Sequence, residues 1–393
     1  MLISKKIRLI LTPDQEKYVW QAVGTARWAY NRYLERNRQQ YEAYKNGETE
    51  SGYVTAYSFN KEVTQLKKAT EYAWLKTIAA CVTKTAVINA EKAYKAFFEG
   101  RTGFPKFKSR RKNRPSFAIQ KKSFQYCRHG CKLENMGFVK TSEPLPKRPK
   151  GSYKNVTVSY DNKYWYVSFS YEVQEKQIRL SKNSIGIDLG VKELAVAYNT
   201  DGSYKVYHNI NKTTTVRKTE KRLKRKQRAQ SRKYQADISG YTDNRKPILR
   251  RNLNDCKNYQ KNRKQVQRIF RRLRCIRENH IHQATAEIVK AKPSRIVLED
   301  LNVKGLMRNK HIAKAIADQG WYKFRRQIEY KAQRFGITVV IVPRTYPSSK
   351  TCSCCGTIKR DLKLKDRTYR CTECGLIIDR DLNAAINLAN YQE

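Results

Sequence analysis

The sequence predicts a multidomain α/β chain with an added small β-barrel, and three observations carry that prediction. A strand-like N-terminal segment is separated from a longer β segment by a helical block. Strands and helices then alternate toward the C-terminus, and two paired-cysteine turns mark a short segment before the end. Because one strand precedes the helices and the others follow them, the economical arrangement is a barrel with a helical domain inserted into it.

The N-terminal stretch 1–11 alternates as a strand, and Thr12-Pro13-Asp14-Gln15 reads as a capping box with proline at the first helical position. Val19, Trp20, Val23, Trp28, Ala29 and Tyr33 keep helical spacing, and further helical patterns lie near 58–70 and 79–99. Gly103 to Arg111 is a basic loop with aromatic rings, suited either to a phosphate backbone or to service as a solvated linker. From Ser116 to Val173 the period changes to two. It is clearest in Val156, Val158 and Tyr160 and in Trp165, Val167, Phe169 and Tyr171, on either side of the turn Asp161-Asn162-Lys163.

A β-meander follows, through Ile185 to Val191, Leu194 to Tyr198 and Tyr204 to Tyr207, with one aspartate, Asp188, in its first strand. Two long basic helices are predicted over 212–234 and 255–290, with a loop at Ser239 to Asn244 between them. A charge run usually marks a solvated helix face. Lys221 to Lys226 belongs to a run sustained over several turns with few acids to pair it, which favours contact with nucleic acid. The strand Arg295 to Asp300, a helix near 318–335 and the strand Thr338 to Val342 complete the alternation.

Composition narrows the partner. Lysine and arginine number 83 against 34 acidic residues, a formal charge of +49, and self-repulsion of that size calls for a polyanion. Nucleic acid is the obvious candidate, because neutralised phosphates release counterions in proportion to the basic contacts made. A membrane partner is disfavoured: no run approaches the roughly 18 apolar residues of a spanning helix, and MLISKKIRLILTPDQ lacks the features of a signal peptide. The chain is expected to stay inside the cell, where its ten cysteines act as thiols or metal ligands. The 26 tyrosines could stack on unpaired bases, although core filling is their commoner use.

Cys352-x-x-Cys355-Gly356 is followed by Cys371-x-x-Cys374-Gly375, with fifteen residues between Cys355 and Cys371. Two such turns present four thiolates to one tetrahedral zinc ion, a closed site with a structural role. Cys354 reads as a spectator, and Cys127 and Cys131, with His129 between them, as ordinary thiols. A dispersed acidic set consists of Asp188, Glu299 and Asp381, the last at a helix start. Each is uninformative singly. Converging, they would repel one another unless divalent cations neutralised them, and two magnesium ions about 4 Å apart could then support phosphodiester hydrolysis. Asp300 and Asp379 are the neighbouring rivals, expected to serve as supporting, capping or surface groups.

Ile185-Gly186-Ile187-Asp188-Leu189-Gly190, Leu298-Glu299-Asp300-Leu301-Asn302, the paired cysteine turns and Asp379-Arg380-Asp381-Leu382-Asn383-Ala384-Ala385 occur in an order that resembles the TnpB family, transposon-encoded relatives of type V CRISPR effectors. Gly103 to Arg111 and Pro347-Ser348-Ser349-Lys350 also resemble family segments, so the resemblance spans nearly the whole chain. It implies a wedge β-barrel over 1–11 and 103–178, a helical recognition domain over 12–102, a RuvC-like, RNase H-like nuclease over 179–346 and 379–393, and a zinc ribbon insertion over 347–378. It further implies an RNA-guided DNA endonuclease of the prokaryotic cytoplasm and nucleoid, working with a transposon-derived guide RNA on double-stranded target DNA beside a short motif. On that pattern Asp188, Glu299 and Asp381 hold two magnesium ions and carry catalysis, and Cys352, Cys355, Cys371 and Cys374 hold structural zinc.

Cys354 and an end at Glu393, twelve residues past Asp381, depart from the family pattern without removing a catalytic group. Two other classes compete: a guided DNA-binding repressor that does not cut, expected to lack acidic ligands, and a transposase acting directly on transposon ends. Lys304 to Gln319 is, by position, a candidate for a mobile lid.

Overall fold

The computed structural model describes residues 2–120, 123–146, 153–174, 178–363 and 366–392. The chain divides into two compact units, Met1–Val173 and Gln174–Glu393.

In the first unit, β1 (Leu2–Ile10) leads directly into α1 (Pro13–Lys45). The expected capping box forms: the Thr12 hydroxyl accepts from the Gln15 amide, and the Thr12 amide donates to the Gln15 side chain. α2 (Ala56–Leu66) is shorter than the helix predicted over 58–70. A 3-10 stretch, Thr70–Thr77, follows instead, because packing wins over propensity there: Leu75 is buried and the Trp74 ring meets Trp28 edge-on at 5.4 Å. α3 (Ala80–Phe98) packs on α1.

Six strands follow: β2 (Ser116–Ala118), β3 (Phe124–Cys127), β4 (Gly130–Leu133), β5 (Gly137–Thr141), β6 (Lys154–Tyr160) and β7 (Trp165–Glu172). With β1 they form a sheet in the order β2-β6-β7-β1-β5-β4-β3. β1 pairs with β7 from Leu2 to Arg8 and then with β5 at Leu9 and Ile10, so the first strand joins the two halves of a sheet made mostly from residues beyond the helices. The helices thus lie between sequence-distant strands of one sheet. Sheet and helices share one apolar core, in which Ile7, Val158 and Val167 meet Val19, Tyr33 and Phe59.

The second unit centres on a five-stranded sheet in the order β10-β9-β8-β13-β14. β8 (Ser184–Leu189), β9 (Ala195–Asn199) and β10 (Tyr204–Tyr207) form the antiparallel meander. α4 (Thr214–Gln235) follows, and then a segment predicted as a loop proves to be a hairpin, β11 (Ile238–Tyr241) with β12 (Pro247–Leu249). The register shifts between Ile238 and Gly240, and the Thr242 amide closes the turn on the Lys246 carbonyl at 2.9 Å.

α5 (Lys257–Lys290) packs along α4 through Val216, Leu223, Val266, Ile269 and Leu273. This seam explains the apolar spacing inside an otherwise basic pair, whose outward Lys221, Arg222, Lys224 and Arg225 are exposed. β13 (Arg295–Glu299), α6 (Val303–Leu306), α7 (Ala313–Gln319), α8 (Trp321–Gln333) and β14 (Thr338–Val342) come next. The helix predicted over 318–335 is broken at Gly320, whose φ of +69° is left-handed and ends α7 before α8 begins. The expected lid stretch holds α6 and α7.

β13 is parallel to both β8 and β14. Period-two alternation divides the sheet's faces: Ile185, Ile187, Ile296 and Leu298 pack with residues of α5 and α8, such as Ile288 and Phe324. On the other face, Val297 and Val342 meet Leu388 of the last helix, α9 (Arg380–Ala389). α9 is preceded by the two-stranded β15 (Thr368–Arg370) and β16 (Ile377–Asp379). Gly186 lets α9 settle closely on β8, and Arg295 reaches from β13 to the Ala389 carbonyl at 3.2 Å, satisfying the end of that helix. Among the described residues, no helix is long and apolar enough to cross a membrane.

Candidate active site

Strand register brings the acidic residues together. Leu298 pairs with Ile187 across the parallel β13 and β8, and Glu299 and Asp188 are the next residues along each strand. Both share parity with residues facing α9, and Asp381 lies in the first turn of that helix. All three are half-buried. Two central parallel strands and one covering helix therefore converge three carboxyl groups at the ends of the strands.

The electrostatics agree with that placement. Burial, together with the charges of Glu299, Asp381 and Asp379, raises Asp188 well above the usual carboxylate range, with Arg380 acting in the opposite sense. Glu299 is raised by burial against a Ser348 hydrogen bond and the Arg380 charge. Asp381 is raised by burial and Asp379, opposed by Arg367, Arg380 and Lys192. Such a set ionises reluctantly by itself and gains when a cation enters, which is the donor chemistry of a hard divalent ion. The carboxylates converge loosely: among the described residues, only the four cysteines place three or more potential ligand atoms within 4.8 Å of one another.

The rival acids are engaged elsewhere. Asp379 caps α9, accepting from the Asp381 amide at 2.9 Å and the Leu382 amide at 3.2 Å. Burial alone would raise Asp300, yet Arg325 and Arg344 at 2.9 and 2.7 Å take both of its oxygens and hold it below its ordinary value.

Cys352, Cys355, Cys371 and Cys374 form the four-thiol cluster. The Cys352–Cys374 and Cys355–Cys371 sulfurs lie 3.6 and 3.5 Å apart, too far for disulfides and close to the ~3.8 Å edge of a tetrahedron with zinc–sulfur bonds of about 2.3 Å. Gly356 and Gly375, at φ of +79° and +73°, supply the left-handed residue after each pair. Cys354 is exposed and outside the cluster. Buried Tyr369 fills the ribbon, its hydroxyl within reach of the Lys350 and Thr357 carbonyls. Cys131 is buried and Cys127 half-buried in the β3–β4 hairpin, in no cluster with His129.

Sequence reasoning gives no role to Arg380, Ser348, Asn383 or Asn387. Arg380 is the cation that opposes the carboxyl shifts at all three acids. Ser348 donates to Glu299, while Asn383 and Asn387 hold the turn before Cys352. The only signal for the asparagines is their i, i+4 spacing beside Asp381.

In the first unit, the loop Gly103 to Arg111 lies along α1: the Asn31 side chain brackets Lys108, donating to its carbonyl and accepting from its amide. Phe104 and Phe107 remain exposed, and the Phe104 ring packs edge-on against Tyr94 and Phe97.

Three segments of the chain match known protein families. A family described as "Probable transposase" matches residues 168–310, the "Cas12f1-like, TNB domain" family matches 321–388, and a family described as "Helix-turn-helix domain" matches 1–46. The last segment is here a strand and one continuous 33-residue helix. Two relatives carry the name "Putative RNA-guided DNA endonuclease". The one from Streptomyces pristinaespiralis is 30% identical over 391 residues, covering 98% of this chain and 87% of the relative. The other, InsQ of Escherichia coli, is 28% identical, covering 95% and 88%. A TnpB-like protein of Acanthamoeba polyphaga mimivirus is 27% identical over 64% of this chain and 45% of its own length. With 30% identity across 98% of its length to the first of these relatives, this chain belongs to the TnpB family.

Proposed function

We propose that the protein is an RNA-guided DNA endonuclease whose cutting centre is Asp188, Glu299 and Asp381. The observation that carries the proposal is the convergence of three half-buried carboxyl groups at the ends of β8 and β13 and the start of α9, with Glu299 and Asp381 both raising Asp188, in a chain of formal charge +49. Divalent magnesium, when bound there, would supply an activated water and charge stabilisation for in-line hydrolysis of a phosphodiester. The chain's own part is to hold three oxygen ligands on rigid elements and to keep Arg380 beside them, where it limits the accumulation of negative charge.

In this reading Cys352, Cys355, Cys371 and Cys374 bind structural zinc, the 1–173 sheet closes as the wedge barrel, and the exposed basic residues of α4 lie along the guide or target backbone. The RNA supplies sequence choice by base pairing, and the protein reads a short duplex motif beside the target. Relatives that carry the name "Putative RNA-guided DNA endonuclease" support the guided part, and the acidic set supports the cutting part.

Co-expression with the native flanking DNA, followed by sequencing of the RNA that purifies with the protein, tests the guided part. A dominant RNA whose 3′ segment, when exchanged, redirects cutting is the expected result. Heterogeneous RNA, with DNA choice unaffected by exchange, overturns it in favour of a transposase acting directly on DNA.

A further inference from the structure

We infer that Ser348 is a positioning residue for the Glu299 carboxylate, fixed in place by the helix that also carries Asp381. The inference rests on the reading of Glu299 as an ion ligand. Ser348 is 4% exposed, and its hydroxyl donates to Glu299 Oε1. A serine buried in a turn needs a partner for its hydroxyl. Here the partner is the carboxylate itself, and the bond consumes lone-pair capacity on Oε1 and not on Oε2.

Ser348 is held in turn. Asn387, 7% exposed, donates from Nδ2 to the Ser348 carbonyl at 2.7 Å and to the Thr351 carbonyl at 2.6 Å. One turn earlier on α9, fully buried Asn383 donates to the same Thr351 carbonyl at 2.7 Å and accepts from the Ser353 amide at 3.0 Å. The Thr351 amide and hydroxyl both bond the Pro347 carbonyl at 3.0 Å, closing the turn. Two asparagines on one helix face thus clamp a closed turn whose near end orients Glu299 and whose far end runs into the thiol Cys352. Asp381, Glu299 and the first ribbon thiol are tied into one hydrogen-bonded unit. Groups that orient a ligand in this way typically change metal affinity by 10–100-fold when removed.

The test uses the full chain with its co-purified guide RNA. Mn2+ is titrated and free ion is read by electron paramagnetic resonance, with Glu299→Ala as the blank that subtracts ions held by nucleic acid. Ser348→Ala is expected to weaken the Glu299-dependent Mn2+ binding about tenfold and to raise by the same factor the Mg2+ concentration for half-maximal single-turnover cutting. Cutting at saturating Mg2+, zinc content and guide retention stay near wild type, and Ser348→Thr restores both affinities. If Ser348→Ala fails to retain zinc and guide, Ser348→Cys, similar in size with a weak donor, takes its place and is expected to fall between alanine and wild type.

Unchanged Mn2+ binding in the alanine or cysteine variant, or a loss that threonine does not rescue, overturns the inference about Ser348. Glu299→Ala that binds Mn2+ and cuts like wild type overturns instead the reading of Glu299 on which it rests.

Discussion

Gly186 of β8 lies directly beneath Ala389 of α9, so closely that a Cβ on Gly186 would stand 2.2 Å from the Ala389 amide nitrogen and 2.2 Å from the Ala385 carbonyl oxygen. Both obstacles are backbone, which cannot swing aside as a side chain could. The absent side chain therefore sets how near Asp381, at the other end of α9, comes to Asp188, two residues along the strand. Gly186→Ala is expected to push the helix outward, costing about 1–3 kcal/mol of stability and most of the cutting, with every carboxylate intact. Thermal unfolding and target cleavage check it; a variant as active as wild type would show that α9 is free to shift.

The carboxyl shifts predict how stability depends on pH and ions. Asp188, Glu299 and Asp381 are all raised above their ordinary values, so the metal-free fold binds protons more tightly than the unfolded chain. Their contribution is favourable in acid and is lost as pH rises from the ordinary carboxylate range through the raised values. In the presence of chelator at neutral pH, Asp188→Asn should unfold at a higher temperature than wild type. Added Mg2+ at about 100 times its dissociation constant should then stabilise wild type by roughly 2.7 kcal/mol and the variant much less. Calorimetry with and without the ion decides between these outcomes.

Zinc removal should act through the ribbon rather than through the carboxylates. Cys374→Ser, which deletes one corner of the thiol cluster, is expected to lose most bound zinc and to expose the segment between Pro347 and Asp379 to protease, whereas Cys354→Ser keeps both zinc and protection. Metal analysis of the purified variants, paired with limited proteolysis, reads both effects.

The exposed face of α4 makes a salt-dependent prediction. Replacing Lys221, Arg222, Lys224 and Arg225 by glutamine should flatten the plot of log affinity against log salt by about 0.7–0.9 for each phosphate contact removed. Binding measured at several salt concentrations tests this, and an unchanged slope would return these residues to the role of a solvated helix face.

Much of this organisation is legible from local pattern. The capping box at Thr12, the meander around Asp188 and the two cysteine turns each depend on residues close in sequence, and the structure forms each of them. The misjudged segments are those where a tertiary contact or a single backbone angle decides. The Trp74–Trp28 contact accompanies the early end of α2, left-handed Gly320 breaks a periodic helix, and a bulge at Gly240 makes a hairpin of a polar stretch. Taken residue by residue the acids are isolated, and only the order of the family-like motifs groups them, since their convergence needs the β8–β13 register, more than 100 residues apart in the chain. The supporting groups were harder still. Ser348 stands in a family-like segment and Asn387 keeps i, i+4 spacing with Asn383, but neither signal names a role, because those roles consist of bonds to Glu299 and to the Ser348 carbonyl that exist only in the folded unit.

The most direct measurement is target binding and target cutting by the same guide-loaded preparation, compared between wild type and Asp188→Ala in Mg2+. The account predicts that the variant holds RNA and matched DNA with affinity near wild type while cutting falls by at least about a thousandfold, the scale of losing an essential ion ligand. Cutting retained by Asp188→Ala would contradict it and place the chemistry elsewhere in the chain.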